Sequence, residues 1–204
     1  MPEVLGREEE VILTGPAIRE YVKAGTIEID PFVPEHVNPV SVDLTLGRKV
    51  VQYQRPITAV LDGPWSLVTG QRVYRKELDA KCEEPTSERS IDDAGIVLDP
   101  GQLYLMHTVE RVYTDVFVPI VDGKSSIGRL GVSVHQTAGY GDPGFNGQYT
   151  LEVTCVVPVR LYAGMRIAQM RFHTVHGEIE LYGGNYVGEC ATGPVPSRSW
   201  RQFK

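Results

Sequence analysis

Val40-Ser41-Val42-Asp43-Leu44-Thr45-Leu46-Gly47 places an apolar side chain at every second position and stops at a glycine. That two-residue period is the mark of a strand with one face buried. Thr26-Ile27-Glu28-Ile29-Asp30 shows the same alternation upstream. Further strand signals lie at Gly95-Ile96-Val97-Leu98, at Leu103-Tyr104-Leu105-Met106-His107, at Val116-Phe117-Val118-Pro119-Ile120-Val121, and over residues 148–157 and 166–175. Turns at Asp99-Pro100-Gly101 and Ala163-Gly164 punctuate them. Short strands separated by regular turns predict a mainly β fold of sandwich or barrel type.

The rest of the chain fits around that frame. With 204 residues one well-buried domain is expected over 1–204. The 21 glycines and 14 prolines favour turns over long helices. A single short helix is predicted near the N-terminus, with Thr14 or Gly15 as N-cap, Pro16 in the first turn, Ile18, Tyr21 and Val22 at helical spacing, and Gly25 as its end. Residues 56–94 are charged and read as an irregular insertion, with Lys76, Glu77, Asp79, Lys81, Glu83, Glu84 and Glu88. Residues 183–204 carry no core pattern and read as a tail.

Charge and cysteine usage narrow the function. A net charge of -6 argues against the broad basic face that duplex nucleic acid requires, but a local cation cluster could still hold a small anion. Cys82, Cys155 and Cys190 are odd in number and never form a CxxC pair, which fits neither a disulfide framework nor a zinc finger. Five acidic side chains lie from Glu3 to Glu20, and the first thirty residues hold no continuous apolar stretch. Neither a secretory signal nor a membrane span is expected there, and a cytoplasmic protein is.

Two motifs mislead. Gly139-Tyr140-Gly141-Asp142-Pro143-Gly144 spells GxGxxG, yet no helix pattern follows and Pro143 interrupts the loop. His176-Gly177-Glu178 matches half of a zinc nucleobase deaminase signature, but no PCxxC follows it, so no zinc is expected.

A third group is informative: Gly123-Lys124-Ser125-Ser126-Ile127-Gly128-Arg129-Leu130-Gly131, then His135-Gln136-Thr137-Ala138-Gly139, Asp142-Pro143-Gly144-Phe145-Asn146-Gly147 and Thr150-Leu151-Glu152-Val153. Together with Asn38-Pro39 and the strand through Gly47, Leu161–Gln169, and Gly193-Pro194-Val195-Pro196-Ser197-Arg198, these segments resemble the dCTP deaminase family of the dUTPase-like superfamily. The resemblance covers most of the chain apart from its ends and the 56–94 segment.

It implies a distorted β-barrel, a homotrimer with active sites shared between subunits, a deoxycytidine nucleotide as substrate, and magnesium carried by the nucleotide phosphates. It also implies that Ser125 holds the attacking water or leaving amine, that the Ala138 carbonyl orients the water, and that Arg129 supports them. An ion pair at a subunit contact is the alternative for Arg129. Lys124, Ser126, Gly128, Asp142, Gln169, Tyr182, Tyr186 and Glu189 fall among the nucleotide-contacting positions. For Asp142, plain Asp-Pro-Gly turn geometry is an equal alternative. His135 is a pocket neighbour by position, or a hydrogen-bonded structural histidine.

Turning cytosine into uracil needs water to attack C4, a base to take its proton and a donor to release ammonia. One carboxyl group can do both. Glu152 is the candidate, because a charge within Tyr149–Val156 is costly unless paired or used. Its alternative is an exposed strand face shared with Thr150 and Thr154. Two departures from the family pattern stand in the tail, where Asn185 replaces an expected basic residue and Glu189 an expected amide. The end product stays open at this level between dUTP and dUMP, because His135–Gly139 resembles members that also cleave pyrophosphate. A dUTPase that does not deaminate and a non-catalytic nucleotide sensor are the other readings.

Overall fold

The computed structural model describes residues 12–54, 58–60, 73–75, 78–186 and 192–204. The N-terminal helix forms as its local signals predict. In α1 (Gly15–Ala24) the Thr14 hydroxyl accepts from the Ala17 N–H at 3.4 Å. Gly25 closes the helix in the left-handed region at φ 76°, with its N–H donating to the Tyr21 and Val22 carbonyls. Ile18 is the residue that α1 sinks into the core.

The strands are β1 (Glu28–Asp30), β2 (Val42–Thr45), β3 (Lys49–Tyr53), β4 (Thr58–Val60), β5 (Val73–Arg75), β6 (Thr86–Ser90), β7 (Ile96–Leu98), β8 (Tyr104–Tyr113), β9 (Val118–Gly123), β10 (Val132–Ser133), β11 (Asn146–Cys155), β12 (Val159–Leu161) and β13 (Arg166–His173). A four-residue helix, α2 (Ser125–Gly128), follows β9, and 3-10 turns lie at Pro34–His36 and Ser199–Phe203. The main sheet runs β10-β11-β8-β3-β6, with β1 also on β8. A second sheet runs β2-β13-β9, and β12-β7 and β4-β5 form two smaller pairs.

All these pairings are antiparallel. Leu44, Leu46, Tyr104, Met106, Leu151, Leu161, Ile167 and Phe172 are fully buried in one cluster. The mainly β expectation holds, whereas the barrel does not close: the ladders of the described residues stay in separate sheets.

Several elements differ from the sequence reading, among them residues 58–60 and 73–75, which pair as β4 and β5 within the segment expected to be irregular. Residues 86–90 lie inside the segment expected to be irregular, yet they form β6 and pair with β3 along its length. Four of its five side chains are exposed, so backbone pairing with β3 and polar side-chain contacts hold this edge strand and leave no apolar alternation to detect. The remainder of 56–94 lies in part outside the described residues.

β8 also runs six residues past His107. There the polar Glu110 is buried because its carboxylate accepts from the Thr45 N–H at 2.9 Å and the Thr45 hydroxyl at 2.7 Å. His107 is buried against Gly47, where a Cβ would run into its ring.

Candidate active site

β11 and β8 pair as the longest ladder of the fold, and one face of β11 carries Gln148, Thr150 and Glu152 into a cavity of about 530 Å³. Leu103 and Leu105 from the β8 side, Tyr53 from β3, and the loop from Gln136 to Phe145 complete the wall. The tail closes it from above through Tyr182, Tyr186, Val195 and Ser197.

Side chains tie the tail down. The Gly193 N–H donates to Gln148 Oε1 at 2.7 Å and the Val195 N–H to Thr150 Oγ1 at 3.0 Å. Because Gln148 and Thr150 are two residues apart on one strand face, they hold alternate tail residues in register. The Ser197 N–H donates to the Tyr53 hydroxyl at 2.8 Å, and the Arg198 N–H to the Tyr186 hydroxyl at 3.1 Å. Burial raises the Tyr53 phenol above its usual range, against the opposing pull of the Ser197 N–H.

Glu152 is half-buried, and its Oε2 accepts from the backbone N–H of Gln136 at 2.9 Å. The Gln136 amide nitrogen donates to the Glu152 carbonyl at 3.2 Å and to Thr154 Oγ1 at 3.0 Å. Ala138, in the same loop, has φ 53°. A left-handed alanine costs about 1–2 kcal/mol, and backbone strain of this kind gathers at functional sites. Tyr149 packs edge-on against Phe145, with centroids 5.1 Å apart, and Phe145 against Tyr182 at 5.9 Å. Burial pushes the Tyr149 phenol far above its usual range.

The structure divides the residues expected at the site into groups. Glu152, Asp142, Tyr182 and Tyr186 line the cavity. Ala138 lies between the lining residues Thr137 and Tyr140. Ser125, Ser126, Gly128 and Arg129 are exposed on α2 and its C-cap and do not line it.

Lys124 and Gln169 both turn to Asp43. The Lys124 ammonium donates to both Asp43 carboxylate oxygens at 2.8 Å, and the Gln169 amide donates at 3.3 Å. Asp43 has no exposed side-chain surface; Arg166 at 3.2 Å and Asn38 at 2.8 Å complete its shell. Burial alone would raise this carboxyl, but the bonds from Lys124, Asn38 and Gln169 outweigh it and hold the pKa below the usual range. Glu189 lies outside the described residues.

His135 stands 3.9 Å from Asp122, while its buried Nδ1 has no hydrogen-bond partner among the described residues. Sequence reasoning passed over Gln136, Tyr149, Gln148 and Tyr53. The only signal for the first was its place beside Ala138 in a loop.

The fold and cavity define a β protein of known type. The chain superposes on the crystal structure of 2'-deoxycytidine 5'-triphosphate deaminase from Agrobacterium tumefaciens with a TM-score of 0.58 and 21% identity, over 82% of this chain and 49% of that one. At that identity the likeness establishes the fold, over about half of the solved chain's length.

Sequence relatives fix the family. The family described as dCTP deaminase-like matches residues 12–175. The "dCTP deaminase, dUMP-forming" of Clostridium acetobutylicum is 38% identical over 194 residues, and that of Clostridium beijerinckii 36% over 195 residues, each match covering 95% of this chain and 99% of the relative. The chain belongs to the dCTP deaminase-like family.

Proposed function

We propose that this chain hydrolyses dCTP to dUTP and ammonia and carries the product on to dUMP and pyrophosphate. The observation that carries the reading is the Glu152 carboxylate, set on the wall of a cavity of about 530 Å³ beside Asp142. Nearly full-length similarity to relatives named as dUMP-forming dCTP deaminases supports both the deamination and its end product.

In the first reaction a water oxygen bonds to C4 of cytosine while Glu152 takes its proton. Glu152 then returns that proton to the amino group, the C4–N bond breaks and ammonia leaves, while the remaining hydroxyl proton passes to N3 and the C4 carbonyl of uracil forms. A positioned carboxyl group contributes about 10²–10⁴-fold in such a role. The Ala138 carbonyl is one acceptor for the water, and its strained backbone supports a fixed direction. In the second reaction a water attacks the α-phosphorus and displaces pyrophosphate, with Asp142 orienting it.

The phosphates need cations, and the described residues of the cavity wall supply none. Both charged side chains lining it are carboxylates, Asp142 and Glu152. Arg129 is exposed on the α2 side, next to exposed apolar side chains of Leu130, Val156 and Val157. That arrangement supports a homotrimer in which α2 of one subunit, with Ser125 and Arg129, completes the cavity of the next.

Among the described residues no three His, Cys, Asp or Glu side chains converge as a metal cage. Magnesium therefore fits here as an ion held by phosphate oxygens and water, and it would neutralise the phosphates facing Asp142. No helix among the described residues is long and apolar enough to cross a membrane. The reading places the enzyme in the cytoplasm, where its nucleotide substrate is found.

The test is to incubate the protein with magnesium and dCTP, dCMP or dUTP in parallel and measure ammonia and pyrophosphate. Glu152→Gln should abolish ammonia release while nucleotide binding persists. Absence of ammonia from every cytidine nucleotide with the unaltered protein would sink the reading.

A further inference from the structure

We infer that Gln136 is the positioning residue for the Glu152 carboxylate, deciding which of its two oxygens faces the substrate; this rests on the deaminase reading above. The main-sheet ladder stops beside the site. β10 pairs with β11 only at Val132↔Cys155 and Ser133↔Thr154, so the β11 edge at Glu152 runs past the end of its partner strand. Gln136 takes over there with its side chain. Its amide nitrogen bridges the Glu152 carbonyl at 3.2 Å and Thr154 Oγ1 at 3.0 Å.

That bridge sets where residue 136 lies, and so where its backbone N–H points. The N–H donates to Glu152 Oε2 at 2.9 Å. Among the described residues Oε1 has no donor, which leaves it as the oxygen available to water. Two bonds from one residue thus grip the backbone and the carboxylate of Glu152, and a third ties Gln136 to Thr154. The loop is held at its other end as well: the Gly139 carbonyl accepts from the Val121 N–H at 2.7 Å, and Tyr140 bridges to Ile120.

A proton shuttle must reach water and the leaving amine from one fixed place, and a misplacement near 1 Å can cost about 10²-fold in rate. A neutral amide suits this post. A carboxylate at 136 would face the Glu152 carbonyl, and a thioether of the same length would bridge nothing.

The experiment compares the unaltered full chain, Gln136→Met and Thr154→Val in steady-state ammonia release from dCTP, with dUTP binding measured alongside. Gln136→Met should lower kcat about ten-fold or more while KM and dUTP binding stay within about two-fold. Thr154→Val keeps the loop sequence and removes one of the two anchors. It should lower kcat in the same sense by a smaller factor, and it carries the comparison if the first variant fails to fold.

A kcat within two-fold of the unaltered chain in the folded variants, or a loss confined to KM, overturns the inference and leaves the deaminase reading standing. Absence of ammonia from the unaltered chain overturns both.

Discussion

The cavity wall contains an interlocked pair whose energetics can be worked out from its contacts. Among the described residues the buried Tyr149 hydroxyl has no hydrogen-bond partner. It lies where a side chain at position 141 would go: a Cβ on Gly141 would collide with the Tyr149 oxygen and sit 2.9 Å from its Cζ and 2.9 Å from Pro119 Cγ. Gly141 lies outside the left-handed region, so the glycine is required by space and not by φ.

An unsatisfied buried hydroxyl costs about 1–3 kcal/mol. Tyr149→Phe keeps the ring on Phe145 and removes that cost, less the contacts of one oxygen, for a net gain of about 1 kcal/mol. For a chain of this size that raises Tm by about 2–4 °C. Gly141→Ala should cost about 1–3 kcal/mol through overpacking, because the Gly141 N–H is pinned to the Pro119 carbonyl at 2.6 Å and cannot retreat.

In the Tyr149→Phe background the shortest contact disappears and the two at 2.9 Å remain. The alanine should then cost about 1 kcal/mol less, a coupling typical of touching residues. Thermal melts of the four proteins at one concentration measure the cycle, since self-association would make Tm depend on concentration. A Tm loss in Tyr149→Phe alone, or additivity of the two changes, would refute this account of the wall.

Two predictions concern pH. Asp43 is held below its usual pKa, so its contribution is complete above about pH 4 and disappears as pH falls from the unfolded value toward the folded one. Asp43→Asn should lose about 3 kcal/mol at pH 7, by stranding Lys124, with the gap to the unaltered chain narrowing in acid melts below pH 4. Burial depresses the His107 pKa below 6.5. The unfolded chain therefore takes up a proton first, and stability that is full above pH 6.5 drains as pH falls below it. His107 is satisfied as a neutral ring, with Nδ1 2.8 Å from the Thr108 carbonyl and Nε2 accepting from the Lys49 N–H at 3.3 Å. His107→Gln should flatten the slope of Tm against pH below 6.5.

What the sequence made legible was local. Thr14, Pro16 and Gly25 mark the ends of α1 because a cap acts over one helical turn, and Leu44 and Leu46 mark β2 because its buried face repeats every second residue. β6 escaped because an edge strand with exposed side chains has no buried face to repeat. Thr150, Glu152 and Thr154 read equally well as a solvated face, since what buries them is remote. The tail arrives 45 positions later through the Val195–Thr150 bond, and Gln136 comes from 16 positions earlier. Only the family resemblance distinguished Glu152 from an ordinary surface glutamate. The Lys124–Asp43 pair spans 81 positions, so the contact that engages this lysine lies far outside the motif that drew attention to it.

That commitment bears on the neutral residue at position 185. With Lys124 engaged by Asp43 and the cavity lined by two carboxylates, the tail is where a cation would be missed most, and Asn185 leaves the expected position uncharged. Arg198 supplies a positive charge close to that position. Arg198 NH1 donates to the Asn185 carbonyl at 2.6 Å, and its guanidinium stands 5.8 Å from the centre of the Tyr186 ring. Both contacts use groups that survive a basic-to-neutral exchange at 185, namely the backbone carbonyl and the neighbouring ring. The guanidinium is thereby held beside Tyr186, a residue of the cavity wall, so a positive charge remains at the tail although the side chain at 185 does not supply it.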